Sequence, residues 1–267
     1  MTVLITGGAG SLGKAFVRLL HNKHNVIVVD NNEWACAALQ SEFPDVTVLM
    51  KDFEKYRFDD NPADVVIHCA AYKHVDLGEL NPHSFIENNV TKTGKLFALC
   101  QQFNVDILFI STDKAVEPIS TYGFTKALGE RLAWHYGGKV ARLGNILNSS
   151  GSVIPVWEQA IEEKKPIRIT DERMTRYLIE DIDAVSQIWD GYLKGKRLII
   201  PHMDEPVRLL DILLQVFQRH GYKEAADYEP GALIIGMRPG EKLHEKLRWD
   251  SELVSEEPPK KKKKAKK

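Results

Sequence analysis

The segment T-V-L-I-T-G-G-A-G-S-L-G-K-A-F-V-R-L-L occupies residues 2–20 of this 267-residue chain. Its first five residues form an apolar run that predicts a short buried strand, and its second half predicts an amphipathic helix. The glycines Gly7, Gly10 and Gly13 stand between the strand and the helix. A strand, a glycine-rich turn and a helix in this order are the context that a dinucleotide-binding fingerprint requires. The apolar positions at helical spacing are Leu12, Ala15, Phe16, Leu19 and Leu20.

Each glycine of this turn has a separate physical role. Gly7 permits the tight turn, Gly10 lets the backbone approach a pyrophosphate, and Gly13 lets the helix pack closely. The backbone N–H groups at the start of the helix, at Ser11 and Leu12, then face the phosphates. The alternative is a plain structural turn, but the position between strand and helix favours cofactor binding.

The end of the next apolar run, residues 25–29, bears on the choice of dinucleotide. Asp30 follows this predicted strand, and an acidic side chain there accepts hydrogen bonds from the adenosine ribose and repels a 2′-phosphate. Asn31 and Asn32 come next, and no arginine follows. The pattern favours NAD over NADP. The alternative is that Asp30 caps a helix that begins near Glu33.

Solid apolar runs continue along the first half of the chain and alternate with helical patterns. Asp52 and Phe53 follow the third run, where we expect the adenine edge, and Asn81-Pro82 opens a long helix that ends near Phe103. Strands of this kind that alternate with helices predict a parallel, doubly wound α/β sheet of the Rossmann type. The predicted strands after the first two cover residues 46–50, 65–69, 105–110 and 139–143.

After residue 148 the pattern loosens, which indicates a small C-terminal substrate-binding lobe. The predicted organisation is a dinucleotide-binding domain over residues 1–148, to which residues 177–200 return, and a lobe that takes up most of residues 149–257. Because these parts interleave along the chain, no single cut separates them. The elements predicted after residue 148 are helices over 156–163, 179–193 and 209–220 and a strand over 197–200.

The composition is that of an ordinary globular protein. Hydrophobic residues make up 43% of the chain and charged residues 27%. Because the sequence has no 18-residue apolar run and no secretory leader pattern, we expect no membrane span and a cytoplasmic protein. Three cysteines without C-x-x-C spacing indicate a reducing compartment, and nine histidines without an H-x-x-x-H pair predict no metal site.

The last ten residues, P-P-K-K-K-K-K-A-K-K at 258–267, carry seven lysines and no acid. Low complexity and a single sign of charge predict a disordered, solvated tail. The rest of the chain carries an excess of acid, which argues against a general nucleic-acid binder. Contacts of this tail with nucleic acid, a membrane surface or the nuclear import machinery are the alternatives.

The stretch S-T-D-K-A-V-E-P-I-S-T-Y-G-F-T-K at residues 111–126 joins a predicted strand to a helical pattern. Tyr122 and Lys126 are four residues apart and share one helix face, so the ammonium can hold the phenol near ionisation. Asp113 and Lys114 place an acid beside a base at the strand end, where open α/β sheets carry their chemistry. We therefore predict an active site here. The alternatives are an accidental tyrosine–lysine spacing and a turn with a surface charge pair.

Five motifs carry a resemblance to a known family. Together with the glycine turn and the Y-x-x-x-K pair, they resemble the extended short-chain dehydrogenases/reductases, and within them the UDP-N-acetylglucosamine 4,6-dehydratases of polysaccharide and flagellin-sugar biosynthesis. The resemblance runs from residue 2 to about residue 248. The motifs are A-A-Y-K-H-V at 70–75, S-T-D-K-A-V-E-P at 111–118, R-L-G-N at 142–145, I-T-D-E-R-M-T-R at 169–176 and G-M-R-P-G-E-K-L-H-E at 236–245.

The resemblance implies catalytic roles for five residues. Tyr122, as phenolate, removes the proton of the sugar C4 hydroxyl while hydride leaves C4 for a tightly bound and recycled NAD or NADP. Lys126 lowers the pKa of that tyrosine and holds the nicotinamide ribose. Lys114 removes the C5 proton, Asp113 donates a proton to the leaving C6 hydroxyl, and Thr112 positions the substrate or merely closes the turn.

The resemblance also implies binding contacts. The resemblance implies that Lys73 contacts the cofactor and the sugar. The alternative is that Lys73 is an exposed lysine of a loop. Arginines suit a diphosphate because their planar forks bind its oxygens bidentately; for Arg173 and Arg176, ion pairs with Asp171, Glu180 or Asp181 are the alternative. The implied cofactor contacts are Gly7, Gly10, Ser11, Leu12, Gly13, Asp30, Asp52, Phe53, Ala70, Ala71, Lys73, Tyr122 and Lys126. The implied substrate contacts are Lys73, Asn145, Arg173, Arg176, Arg238 and Glu241.

The implied reaction converts UDP-N-acetylglucosamine to a UDP-4-keto-6-deoxy-hexose, and the lack of a membrane segment favours the C5-inverting branch. The rival reaction is C4 epimerisation, which needs Tyr122 and Lys126 but not the Asp113-Lys114 pair. A rival from another class is a non-catalytic dinucleotide-binding regulator, which has no reason to keep all four residues. Family analogy also implies a homo-oligomer.

Overall fold

The computed structural model describes most of the chain. The described residues are 1–147, 149, 152–223 and 227–249, so the expectation about the lysine-rich tail lies outside them.

The elements alternate between strand and helix over the first half of the chain, as the sequence predicts. The strands are β1 (Thr2–Thr6), β2 (Asn25–Asp30), β3 (Thr47–Met50), β4 (Val65–His68), β5 (Asp106–Thr112), β6 (Lys139–Leu143), β7 (Asn145–Ile146), β8 (Ile167–Ile169), β9 (Thr175–Arg176), β10 (Leu178–Ile179), β11 (Leu198–Ile199), β12 (Val207–Arg208) and β13 (Ala232–Ile234). The α-helices are α1 (Ser11–Leu20), α2 (Glu33–Glu42), α3 (Val75–Leu80), α4 (Pro82–Ile86), α5 (Thr93–Phe103), α6 (Thr121–His135), α7 (Val153–Glu162), α8 (Asp181–Leu193) and α9 (Leu209–Arg219).

The described residues form one central sheet of seven strands in the order β11-β6-β5-β4-β1-β2-β3. Every pair of neighbouring strands in this sheet is parallel. The strand order reverses direction next to β1, so the carboxyl ends of β1 and β4 border the crevice at which such sheets bind ligands. The predicted doubly wound, Rossmann-type parallel sheet is confirmed.

Alternate side chains of the central strands fill two apolar layers, because successive residues of a strand point to opposite faces. Val3 and Ile5 of β1 pack with α1, α2 and α8 on one face. Leu4, between them, packs with α5 and α6 on the other face. Both faces of the sheet are therefore covered by helices, which explains why the strands read as solid apolar runs.

The long helix predicted from Asn81-Pro82 to Phe103 is interrupted. Residues Glu87–Lys92 form a π-helical turn between α4 and α5. Asn89, inside this turn, exchanges two hydrogen bonds with the backbone of Tyr72, at 2.9 and 2.8 Å, and donates to Thr125 Oγ1 at 3.2 Å. The widened turn thus points an amide into the loop after β4, a use typical of π-bulges near functional sites.

The helix predicted over 179–193 begins two residues late, at Asp181, because Leu178 and Ile179 pair with β7 instead. This helix, α8, packs on α1, and β11 lies beside β6 at the edge of the central sheet.

A third apolar cluster lies among the elements after residue 152. α7 and α9 pack on each other, and β13 pairs with β8 in parallel. Trp157, Ile167, Leu213 and Phe217 are among the buried side chains of this cluster. In the described part of the chain, no helix has the length and hydropathy to cross a membrane, and no cluster of histidine, cysteine and acidic residues is placed to hold a metal ion.

Candidate active site

A cavity of about 810 Å³ opens at the carboxyl ends of the central strands. It extends from the glycine turn after β1, past the loops after β2 and β4, to the stretch 111–126 after β5 and the C-terminal segment around Arg238. With two exceptions, Asp113 and Arg173, every residue that the sequence predicted for the site lines this cavity. The structure thus brings together side chains from both halves of the chain.

The glycine turn has the geometry that its sequence predicted. Gly7 has φ +67°, and a Cβ there would lie 2.6 Å from the backbone nitrogen of Ala70. A Cβ on Gly13 would press on Gly7 O and lie 2.6 Å from Gly8 Cα. Gly10 is different, because a Cβ there would meet Gly7 O alone among the described residues, at 3.4 Å. The turn therefore leaves room beside the N-terminus of α1, which suits a pyrophosphate.

Asp30 lies at the end of β2 with its carboxylate held by the backbone on both sides. Its Oδ2 accepts from Ala9 N at 3.2 Å, and its Oδ1 accepts from Asn32 N at 3.0 Å. The N-cap of α2 is Asn32, whose side chain accepts from Ala35 N at 3.0 Å. The alternative in which Asp30 caps this helix is therefore wrong, and the carboxylate is fixed at the cavity wall beside the glycine turn.

Asp52 and Phe53 form the wall after β3. Asp52 caps a short 3₁₀ turn by accepting from Glu54 N at 3.0 Å and accepts from Lys92 Nζ at 2.5 Å. Burial raises the pKa of Asp52, but the hydrogen bond and positive charge of Lys92 outweigh it, so the pKa lies below its usual value. Phe53 packs edge-on against the His68 ring, with centroids 4.9 Å apart.

Tyr122 and Lys126 lie on α6 and line the cavity, but they do not pair as their spacing predicts. Lys126 Nζ donates to Ile110 O at 2.5 Å and lies 4.1 Å above the ring centre of Phe109. Burial lowers the pKa of Lys126 to about 8. Burial also raises the pKa of the Tyr122 phenol, and the charge of Asp113 raises it further, against a hydrogen bond with Thr112.

Asp113 and Lys114 begin a 3₁₀ turn directly after β5. Lys114 Nζ donates to Asp113 Oδ1 at 3.0 Å and to Asn145 Oδ1 at 3.2 Å. Asp113 is fully buried and also accepts from Thr112 Oγ1 at 2.9 Å. Its second oxygen, Oδ2, has no hydrogen-bond partner among the described residues. An acid and a base thus lie in contact beside Tyr122. The acid, Asp113, lies behind the cavity wall, and the base, Lys114, lines the cavity.

The predicted substrate arginines have different surroundings. Arg176 is buried at the cavity wall and donates to Thr175 O at 2.7 Å and Leu243 O at 3.2 Å. Arg173 is exposed outside the cavity and forms a two-pronged ion pair with Asp171, at 3.0 and 2.8 Å. The alternative that the sequence left open, an ion pair with Asp171, is therefore the arrangement found for Arg173.

Arg238 and Glu241 lie together on the C-terminal segment and line the cavity. Glu241 Oε2 accepts from Arg238 N at 2.9 Å, and its Oε1 accepts from Arg238 Nε at 3.2 Å. Lys73 and Asn145 line the cavity from the loop after β4 and from β7. The C-terminal segment thus adds two charged side chains to the cavity wall.

Two features of the site were missed by sequence reasoning. Glu245, four residues beyond Glu241, lies at the cavity wall with Lys114 Nζ at 3.6 Å. Glu130 of α6 forms a buried ion pair with Arg142 of β6, which ties α6 to the sheet. Glu245 is the last residue of the motif at 236–245. Its acidic side chain within a glycine-rich, basic segment was the signal in the sequence that could have identified it.

Comparisons with known proteins agree with this architecture. A family model described as polysaccharide biosynthesis protein matches residues 3–267. An uncharacterized membrane protein of Methanocaldococcus jannaschii is 37% identical over 95% of this chain and 82% of its own length. An inverting UDP-N-acetylglucosamine 4,6-dehydratase of Campylobacter jejuni is 31% identical over 91% of this chain and 76% of its own. A UDP-glucose 4-epimerase of Rickettsia massiliae is 29% identical over 95% and 79%. The chain spans less than half of one further relative, the probable polysaccharide biosynthesis protein EpsC of Bacillus subtilis, which is 30% identical over 96% of this chain and 46% of its own length.

Solved structures share the fold. Pen from Bacillus thuringiensis superposes with a TM-score of 0.83 at 29% identity, covering 92% of this chain and 83% of that one. The dTDP-glucose 4,6-dehydratase DesIV of Streptomyces venezuelae, solved with NAD bound, gives a TM-score of 0.83 at 20% identity, with 93% and 88% covered. The sheet, the glycine turn and the family match agree: the chain belongs to the polysaccharide biosynthesis protein family, among the extended short-chain dehydrogenase/reductase enzymes that comprise nucleotide-sugar dehydratases and epimerases.

Proposed function

We propose that this protein is a UDP-N-acetylglucosamine 4,6-dehydratase that forms a UDP-4-keto-6-deoxy-hexose, with inversion at C5 favoured. The observation that carries the proposal is the 3.0 Å contact between Asp113, behind the cavity wall, and Lys114, which lines the cavity together with Tyr122. Elimination of water needs an acid and a base close together. The 31% identity to an inverting dehydratase supports the same reaction.

In this proposal the residues act in sequence on one sugar ring. Tyr122 removes the proton of the C4 hydroxyl, and the C4 ketone then acidifies the C5–H bond. Lys114 accepts the C5 proton, while Asp113, protonated, donates its proton to the C6 oxygen, which leaves as water. Lys114 then returns a proton to C5.

A bound NAD would supply the hydride acceptor for C4 and the hydride donor for C6, and would be regenerated in place without leaving. The open space beside Gly10 and the N-terminus of α1 fits the pyrophosphate, and Asp30 fits a ribose hydroxyl. Asp52 would lie at the adenine edge and Lys126 at the nicotinamide ribose. Because a carboxylate at Asp30 repels a 2′-phosphate, NAD is favoured over NADP.

The substrate is proposed to lie across the C-terminal half of the cavity. Arg176 and Arg238 provide guanidinium groups for the diphosphate, and Glu241 can accept from ribose hydroxyls. Lys73 and Asn145 then border the sugar. Arg173 lies outside the cavity, so we propose no contact with substrate for it. In this arrangement residues 1–148 with 177–200 hold the cofactor, and most of residues 149–257 hold the sugar nucleotide.

A C4 epimerase is the second candidate, since UDP-glucose 4-epimerases are also among the relatives. Such a reaction uses a tyrosine base and the cofactor but gains nothing from an acid–base pair in contact. A variant of Lys114 distinguishes the dehydratase reaction from the epimerase reaction. Replacement of Lys114 with alanine is expected to stop water elimination while C4 oxidation continues, which appears as reduced cofactor absorbance after addition of UDP-N-acetylglucosamine.

The matched control is Lys194→Ala, which removes an exposed lysine at the end of α8 that pairs with Asp190. We expect this variant to have wild-type turnover. Full dehydratase activity in Lys114→Ala would remove the base role from Lys114, and an epimerised product without loss of water in the wild type would favour the epimerase.

A further inference from the structure

Glu245 is a buried carboxylate that the proposed reaction leaves without a role. Its side chain is 2% exposed and lies at the cavity wall. Lys114 Nζ lies 3.6 Å from Oε1, and Lys242 Nζ lies 3.3 Å from Oε2. Burying a carboxylate costs free energy unless cations compensate it. Here one of the two amines, that of Lys114, belongs to the site, and the other, that of Lys242, lies at its boundary.

Lys114 needs such a partner for a geometric reason. A lysine side chain has four rotatable bonds, and its amine reaches one place only when several contacts hold it. Three oxygens from three parts of the chain surround Nζ: Asp113 Oδ1 at 3.0 Å, Asn145 Oδ1 at 3.2 Å and Glu245 Oε1 at 3.6 Å. Only Glu245 comes from the C-terminal segment.

Lys242 joins that segment to the catalytic loop. Its Nζ donates to Val116 O at 2.6 Å, two residues after Lys114, and pairs with Glu245. Glu245 is therefore held on one side by a cation that is itself anchored to the loop it faces. This network fixes the distance between the carboxylate and the Lys114 amine.

We propose that Glu245 is a positioning residue for removal of the C5 proton, and that it acts by holding the Lys114 amine at the cavity wall. The inference rests on the proposed dehydratase reaction. Lys114 itself accepts the proton, and Glu245 transfers none. The same segment carries Arg238 and Glu241, so the proposed contacts to the substrate diphosphate and the placement of the base depend on one stretch of chain.

The test is Glu245→Gln in the full chain with its cofactor bound. Glutamine keeps the shape of the side chain but removes its negative charge. The Lys114 amine therefore loses the electrostatic attraction of Glu245 that helps to hold it in place. Because small misplacements of a reacting group cost large factors in rate, we expect kcat to fall by about tenfold or more. The KM for UDP-N-acetylglucosamine should stay close to the wild-type value.

Two further readouts separate positioning from general damage to the site. Reduced cofactor should accumulate after mixing with substrate, because C4 oxidation does not use Lys114. The kinetic isotope effect with substrate deuterated at C5 should increase, because C5–H cleavage becomes slower than the other steps. A merely structural defect would slow oxidation and elimination together and leave the isotope effect unchanged.

The matched control is Glu117→Gln. Glu117 also pairs with the C-terminal segment, through Lys246 at 2.7 Å, but on the exposed surface beyond the cavity lining. We expect wild-type kcat and isotope effect for this variant. Glu245→Asp, which keeps the charge and withdraws it by one methylene, should restore part of the lost kcat; if Glu245→Gln melts early, the isotope effect of Glu245→Asp decides.

Wild-type kcat and isotope effect in Glu245→Gln, or an equal loss of oxidation and elimination, would overturn the inference. The outcome for the reaction itself is separate. If the wild-type protein releases no water from UDP-N-acetylglucosamine, the proposed function fails, whatever the Glu245 variants do.

Discussion

Tyr122 and Lys126 illustrate what residue spacing does and does not determine. Their separation by four residues predicted one helix face, and both side chains do line the cavity from α6. The direction of the Lys126 ammonium was not predictable, because it depends on Ile110 O and the Phe109 ring, which belong to β5. Burial of this lysine thus lowers the stability of the folded protein, as is common for residues at functional sites.

Lys126→Met is expected to stabilise the nucleotide-free protein by about 2 kcal/mol at pH 7 while abolishing turnover, because methionine removes a buried charge. The pKa of Lys126 is lowered to about 8 in the folded protein, against 10.5 for an ordinary lysine. Between these values the unfolded chain binds more protons, so wild-type stability should rise with pH relative to the variant. Urea unfolding at pH 7 and pH 9.5 measures the difference.

Lys194→Met is the control for this experiment, since that lysine is exposed. Its stability relative to wild type should be the same at both pH values. Two results would contradict this expectation: a Lys126→Met variant that is less stable than wild type at pH 7, or a difference in unfolding free energy between variant and wild type that is no smaller at pH 9.5 than at pH 7.

At the scale of elements, the sequence predicted best what is locally encoded. The β1–turn–α1 unit was read correctly because its apolar period and its glycines lie within twenty residues. The π-turn before α5 was missed because it depends on Asn89 reaching Tyr72 across the loop after β4. Glu245 was missed for a similar reason, since its partner Lys114 lies far away in the chain and only the folded C-terminal segment brings them together.

Gly13→Ala should disrupt the β1–turn–α1 unit specifically. The added Cβ would press on Gly7 O and Gly8 Cα, which are backbone atoms that cannot rotate away. We expect a loss of about 1–3 kcal/mol in the free energy of unfolding and weaker NAD binding, because the shifted turn also holds the phosphate position. Urea unfolding and titration with NAD measure the two effects.

The matched control is Gly94→Ala. Gly94 lies in α5, in the interior of the continuous helical run that begins with α4. Among the described residues, a Cβ there meets the side chain of Leu132 alone, with Cδ1 at 3.6 Å and Cδ2 at 3.9 Å, which are ordinary contacts. Alanine should therefore leave stability unchanged or raise it by up to about 1 kcal/mol. Equal stability of Gly13→Ala and wild type would show that the turn tolerates a side chain and would remove the packing argument for that glycine.

At the scale of the whole molecule, an apolar surface lies on α3 and α6 beside the active site. Leu80, Phe124 and Leu128 are 77%, 53% and 52% exposed, and α3 contacts α6. Phe124 and Leu128 are four residues apart and share one helix face. We propose that a second copy of the chain covers this surface, which would bury side chains that a monomer leaves in water.

Leu128→Glu is expected to convert an oligomer to a monomer, because it puts a charge in the middle of this surface. Size-exclusion chromatography with light scattering gives the mass. The control, Leu193→Glu, changes a leucine that is 59% exposed at the end of α8 and should elute with the wild type. A monomeric wild type, or an unchanged mass for Leu128→Glu, would rule this surface out as the interface.

The dehydratase reaction is tested most directly by incubating the purified protein with UDP-N-acetylglucosamine in deuterated water and following it by proton NMR. The account predicts a 4-keto-6-deoxy product with deuterium at C5, placed there when Lys114 returns a solvent-exchanged proton, and ring couplings that report inversion at C5. A C4 epimer that retains its C6 hydroxyl, or a 4-keto-6-deoxy product with hydrogen kept at C5, would contradict it.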